Sequence, residues 1–167
     1  MVKREKSIEL LNQAVNDELM AVHQYMYFHF LLDDMGYDLL STYFKRTAIE
    51  EMMHVELLAE RILFLKGEVE MMQSHAVEKI HDVKAMLDKA EAMETQTIMD
   101  YNQFAQEAST ALDSATKKLF EDLILQEERH QDQFDIEKDN LANYGDNYLA
   151  LQSIEHAKKA SVGTQMT

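Results

Sequence analysis

Residues 7–35, SIELLNQAVNDELMAVHQYMYFHFLLDDM, decide the fold class. Ile8, Leu11, Val15, Val22, Tyr25 and Leu32 recur at three- and four-residue steps, the spacing of one face of an α-helix. Residues 38–66 repeat the pattern with Tyr43, Phe44, Ile49, Leu57, Leu58, Ile62 and Leu65. Each stretch is roughly 28 residues, about 42 Å of helix at 1.5 Å per residue. Only a couple of residues around Gly36 separate them, so they are expected to lie side by side and antiparallel. Gly36, Gly67 and Gly145 each follow a helix-compatible stretch, where glycines at helix C-termini belong.

The periodicity lapses from Gly67 to about Val77, which reads as a crossover. A third helix is expected over residues 78–108. A fourth is opened by Asp113 or Ser114 and runs to Asn143 or Tyr144, and a short amphipathic fifth covers residues 146–157. The expectation is an all-α chain with one domain over residues 1–158 and a frayed tail over 159–167. Four long helices with one long connection between the second and third, plus a short fifth helix, is the ferritin-like bundle topology.

Composition narrows the chemistry. The 167 residues contain no Pro, 4 Gly and no Cys, whereas average usage would give roughly 8 Pro and about 12 Gly. So few turn-formers exclude the many tight connections of a sandwich or barrel. Without Cys there is no disulfide, thiolate zinc site, cysteine-held iron–sulfur cluster or cysteine nucleophile, so any metal must sit on carboxylates and imidazoles. The net charge of −15 argues against nucleic acid and suits attraction of small cations. The longest run free of Asp, Glu, Lys and Arg, Leu19 to Leu32, is too short and too polar to span a bilayer. The N-terminal Met-Val-Lys-Arg-Glu-Lys has no apolar stretch behind it, and the expectation is a cytoplasmic protein.

Three Glu-x-x-His pairs occur, at Glu51/His54, Glu78/His81 and Glu127/His130. Residues three apart share a helix face, so each pair could offer an oxygen and a nitrogen to one ion. A lone pair of this kind is more often a solvated helix face. Two of them, however, repeat at an offset of 76 residues. Glu18 and Glu94 repeat at the same offset, as do Tyr25/Tyr101 and Phe28/Phe104. Two helical hairpins with the same polar residues in the same register pack around a pseudo-two-fold axis. That gathers Glu18, Glu51, His54, Glu94, Glu127 and His130 at one point, with Tyr25 and Tyr101 close behind them. Four buried carboxylates repel one another and each costs several kcal/mol unless compensated; two divalent cations cancel them, with the imidazoles as neutral donors. Four Glu and two His are the donor set that di-iron carboxylate four-helix bundles use. The donors suit iron, and also manganese or zinc. Glu78/His81 has no partner at the offset and reads as solvated or as a crossover anchor.

These residues resemble the bacterioferritins over about residues 3–158. Glu18, Tyr25, Glu51, Met52, His54, Glu94, Tyr101, Glu127 and His130 stand where that family's pattern has them, and residues 60–67, ERILFLKG, look family-like. The resemblance implies a 24-subunit shell that oxidises Fe(II) with O2 or H2O2 at an intrasubunit di-iron centre and stores ferric mineral. In it Glu51 and Glu127 bridge two irons, Glu18 with His54 and Glu94 with His130 cap one each, and an electron-donor partner serves iron release. One residue from Glu51 is a 100° turn, so Met52 points off the bundle. In this family that position, from both members of a dimer, holds haem b; here Leu19, Val22, His23, Met26 and Ile49 would surround it, although a Met at an apolar interface is often only packing. Arg46 replaces a His that some relatives use at an inner-surface iron site, which puts that site in doubt, while Glu50 keeps an acid there. The tail from His156 to Thr167 is longer than the family pattern. Two other readings stand beside this one. The first is a non-cage peroxidase of the rubrerythrin type, disfavoured because its rubredoxin-like domain needs four Cys. The second is a haem-bridged, electron-carrying assembly with a structural metal site.

Overall fold

A computed structural model describes the backbone of residues 4–163 and the side chains as far as Lys158. The described residues form five helices: α1 (Arg4–Asp34), α2 (Asp38–Phe64), α3 (Val83–Thr110), α4 (Ser114–Tyr144) and α5 (Asp146–Gly163). The main packing is α1 along α2 and α3 along α4, two hairpins laid face to face, with α5 against α4 and α2. No described helix is long and apolar enough to cross a membrane.

Three turns close the long helices with the same hydrogen-bond pair. After α1, Gly36 N–H donates to the Asp33 carbonyl and Tyr37 N–H to the Leu32 carbonyl. The matching pairs are Lys66 to Leu63 with Gly67 to Ile62, and Leu112 to Ser109 with Asp113 to Ala108. This arrangement needs one left-handed residue, and Gly36 supplies it at φ +78°. After α2, however, the left-handed residue is Lys66 (φ 66°), and after α3 it is Leu112 (φ 62°). Gly67 is therefore not the cap expected from the sequence. A Cβ there would come within 2.8 Å of Ile8 Cγ2, so Gly67 is small to let α1 pack against it.

The third helix begins five residues later than expected, at Val83. Asp82 caps it, its carboxylate accepting from Ala85 N–H at 2.8 Å. Residues 78–82 stay out of the helix because Gln24 binds the backbone of Glu78 from both sides: its amide donates to the Glu78 carbonyl (3.0 Å) and its carbonyl accepts from Glu78 N–H (2.8 Å). Asn12 clasps Glu68 and Glu70 in the same way, at 2.9 Å on each side. The fourth helix starts where expected, with Asp113 accepting from Thr116 N–H at 3.1 Å and held by Arg61 Nη2 at 2.6 Å. Burial pushes the Asp113 carboxyl up, and Thr116 and the Arg61 charge more than reverse that, leaving it below its ordinary value. The fifth helix continues to Gly163, past the expected end at Ala157.

Two buried clusters form the core. One gathers Leu10, Leu11, Val15, Leu58, Ile62, Tyr101, Phe120 and Leu123. The other gathers Tyr25, Phe28, Leu32, Leu40, Phe44, Met86, Leu87 and Phe134. Along every long helix the chain passes from one cluster to the other across buried acids: Glu18, Glu51 with His54, Glu94, and Glu127 with His130. The polar layer is sandwiched between apolar ones.

Candidate metal centre

Each long helix delivers its polar residues to the middle of the bundle. Glu18 (α1), Glu51 and His54 (α2), Glu94 (α3), and Glu127 and His130 (α4) are all 2 % exposed or less. Their ligand atoms form two groups, each lying within 4.8 Å: Glu18, Glu51, His54 and Glu127, and Glu51, Glu94, Glu127 and His130. Glu51 and Glu127 belong to both. The offset of 76 residues is thus realised in space.

His54 Nδ1 lies 2.8 Å from Glu51 Oε2, 2.9 Å from Glu127 Oε1 and 3.4 Å from Glu18 Oε1. His130 Nδ1 lies 3.0 Å from Glu51 Oε1 and 3.3 Å from Glu127 Oε2. The two imidazoles face each other, 5.9 Å apart and 24° from parallel. Both use Nδ1 inward, so their lone pairs aim at the space between the carboxylates. Tyr25 and Tyr101 donate to Glu94 Oε1 and Glu18 Oε1 respectively. Each tyrosine crosses from its own hairpin to hold the terminal acid of the other.

Whether these residues suit metal ions is tested by what the protein leaves unpaired. Both oxygens of Glu51, Glu127 Oε1 and His54 Nδ1 are buried and face only one another, Glu18 and His130, with no hydrogen-bond partner from outside the cluster. Buried polar atoms almost always have partners, and four orphans converging within ligand distance fit a cation pair. The donor set of four carboxylates and two imidazoles suits iron, manganese or zinc. Without cations, protons must balance the charge. Burial, then the charges of Glu127 and Glu51, raises the Glu18 carboxyl well above its ordinary value, and burial with the charges of Glu51 and Glu127 does the same to Glu94. Burial alone would lower both imidazoles; the surrounding carboxylates instead raise His54 far above its usual range and push His130 up to about 11. Burial would also raise Glu127, but the two imidazoles beside it take it down to about 2.

The sequence reading missed the partners of the outer imidazole nitrogens. His130 Nε2–H donates to Glu50 Oε2 at 2.7 Å, and the same oxygen accepts from Arg129 Nη2 at 2.8 Å. Arg46 Nε stands 3.8 Å from Glu50 Oε1. Burial nudges the Glu50 carboxyl upward, and His130 and the two arginines outweigh it, so Glu50 sits below its ordinary value. On the other side, His54 Nε2 pairs with Gln126 Oε1 at 3.2 Å. Such contacts fix the ring and tautomer of a ligating imidazole; the available signal was that positions 50 and 126 obey the same offset. The acid at Glu50 is therefore engaged by Arg129 and His130.

Met52 is placed as its 100° step implies, off the bundle and 51 % exposed, with Ile49 and Met53 exposed beside it. Glu78 and His81 lie exposed in the crossover, Glu78 bound to Gln24 through its backbone and to Lys89 at 2.6 Å. They take no part in the centre.

Comparison with known proteins agrees with this geometry. Residues 8–142 match the family model of the ferritin-like domain. A bacterioferritin of Desulfovibrio desulfuricans is 38% identical over 148 residues, covering 89% of this chain and 83% of that one. A bacterioferritin of Brucella melitensis is 33% identical over 141 residues, 84% of this chain and 88% of that one. An X-ray structure of the D. desulfuricans protein, which describes its di-iron site in different catalytic states, superposes with a TM-score of 0.88 at 37% identity, covering 90% of this chain and 88% of that chain. With fold, buried carboxylate–imidazole cluster and sequence in agreement, the chain belongs to the bacterioferritins, within the ferritin-like family.

Proposed function

We propose that this chain is the subunit of an iron-storing ferroxidase, with Glu18, Glu51, His54, Glu94, Glu127 and His130 holding two irons. The observation that carries the reading is the pair of buried four-residue groups with Glu51 and Glu127 in common. Glu51 and Glu127, common to both groups, would be shared between the two ions, while Glu18 with His54, and Glu94 with His130, would hold one ion each. Iron bound there supplies a change between Fe(II) and Fe(III), with O2 or H2O2 as the electron acceptor. The residues do the rest. Inward Nδ1 atoms leave the imidazoles as neutral donors, Tyr25 and Tyr101 hold the outer acids in place, and the apolar layers above and below keep bulk water out. Protons displaced from the acids and imidazoles leave as cations enter.

Self-association to dimers and a 24-subunit shell is part of the proposal. It is supported by the exposed apolar residues of α2, among them Met52, Met53, Leu57, Leu63 and Phe64, which an isolated subunit would leave in water. Haem b between two copies of Met52 fits the outward placement of that thioether. A cytoplasmic location and an electron donor for iron release complete the reading. The rubrerythrin-type and electron-carrying alternatives have no observation in their favour that the storage reading lacks.

The test is stopped-flow mixing of Fe(II) with the aerobic protein. Glu127→Ala should slow the fast oxidation phase at least a hundredfold while the particle keeps its mass by size exclusion; an unchanged initial rate overturns the assigned role. A particle near half a megadalton supports the shell. A Soret band abolished by Met52→Leu, with iron oxidation retained, supports the axial methionine, and full haem retention in that variant rejects it.

A further inference from the structure

The two halves of the centre repeat in their ligands and differ in what stands behind them. Position 50 maps onto position 126 at the 76-residue offset, 46 onto 122, and 129 onto 53. Behind His130 this places Glu50, Arg46 and Arg129; behind His54 it places Gln126, Asp122 and Met53. His130 Nε2–H meets a carboxylate at 2.7 Å, and Arg129 holds that same oxygen at 2.8 Å. His54 Nε2 meets a neutral amide oxygen at 3.2 Å. Hydrogen bonds to a charged acceptor are shorter and roughly twice as strong as neutral ones. A carboxylate behind a ligating imidazole also makes its other nitrogen more basic, and losing such a partner typically costs 10–100-fold in metal affinity.

We infer that Glu50 makes the two metal positions unequal, so that divalent cations fill the Glu94/His130 position before the Glu18/His54 position. This rests on the proposed di-metal reading of the cluster and specifies an order within it. Glu50 is a positioning residue, acting on the metal through His130. The guanidiniums of Arg46 and Arg129 oppose a cation by charge, but both side chains are 61% exposed and water screens them. Their main effect is to pin the Glu50 carboxylate where His130 can reach it. No guanidinium stands at the equivalent places behind His54.

Co(II) titration of the metal-depleted full-length protein tests this, followed by its visible absorption and by calorimetry. Two steps are expected, with dissociation constants at least tenfold apart. Glu94→Gln should remove the tighter step, and Glu18→Gln the weaker. Glu50→Gln should weaken the tighter step about tenfold and leave the other in place, merging the two. Gln126→Glu should act oppositely, tightening the weaker step, which a merely structural role for either residue would not produce. Two steps of equal affinity in the parent protein overturn the inference, as does a tighter step that maps to Glu18 or one that ignores Glu50→Gln. If Co(II) does not bind at all, it is the di-metal reading that falls.

Discussion

The apolar layers of the bundle and the polar layer between them are built by the same four helices at the same helical spacing, yet they are held together by opposite means. Above and below, Phe28, Phe44 and Phe134, or Leu58, Ile62 and Phe120, are fully buried and need nothing beyond each other. Between them, four acids and two imidazoles are as deeply buried and are left with orphaned oxygens. The apolar layers supply stability whatever is bound. The polar layer draws on it unless its charge is balanced by protons or cations. The fold can carry a buried polar layer because two apolar cores bracket it.

The largest effect that would sharpen this contrast is in the apolar layer. Phe44 is fully buried, with ring centroids of Phe134, Phe28 and Tyr25 at 5.2, 5.3 and 5.8 Å. Phe44→Ala should cost about 3–5 kcal/mol, the usual range for removing a buried aromatic ring. Denaturant unfolding of the metal-depleted protein at fixed subunit concentration measures it, and Co(II) stoichiometry should survive in the variant that remains folded. A loss under about 1 kcal/mol would mean that the aromatic layer is not what holds the bundle.

The same contrast explains how much the sequence disclosed. The convergence of Glu18, Glu51, His54, Glu94, Glu127 and His130 was legible because side chains that two hairpins bring to one point must repeat in type and register together. The outward placement of Met52 was legible because a 100° step from an inward residue turns the side chain off the bundle. The contacts of Glu50 with His130 and of Gln126 with His54 were overlooked because each reaches an imidazole on a different helix, at sequence separations of 80 and 72 residues that no local pattern carries. The start of α3 was misplaced because Gln24, 54 residues away, holds the Glu78 backbone extended against a sequence that would tolerate helix. Gly67 was misread as a cap because its purpose is the space it leaves for Ile8. Local periodicity fixes where helices run; long side chains reaching across the bundle decide where they begin and what stands behind a ligand.

The polar layer should also respond to pH in opposite directions when empty and when filled. His54, His130, Glu18 and Glu94 all have raised values in the folded chain, His130 reaching about 11 from an ordinary 6.5. Groups with raised values bind more protons folded than unfolded, so their contribution declines as pH rises. For His130 it is complete below about 6.5 and is lost toward 11. The metal-depleted protein should therefore lose stability from pH 6 to pH 9. Cations compete with those same protons, so Co(II) affinity should rise over the range, by about tenfold per pH unit for each proton displaced. Calorimetry in buffers of different ionisation heat counts the protons released. Affinity that ignores pH would show that the empty layer is not balanced by protons.

The smallest expected effect lies where the layers meet. The Tyr25 ring packs in one apolar layer, 5.5 Å from Phe134, and its hydroxyl donates to Glu94; the Tyr101 ring packs in the other, 5.3 Å from Phe120, and its hydroxyl donates to Glu18. Replacing either by Phe keeps the ring and removes one hydrogen bond, for a loss of about 1 kcal/mol in the metal-depleted protein. Because each hydroxyl serves a different acid, in a different one of the two ligand groups, the double variant should lose the sum to within about 0.5 kcal/mol. A double loss well beyond that sum would mean that the acids respond as one network through Glu51 and Glu127, and that the stitches between layers are not independent. Single losses above about 3 kcal/mol would break the contrast itself, since the apolar layers would then depend on the polar one for their own cohesion.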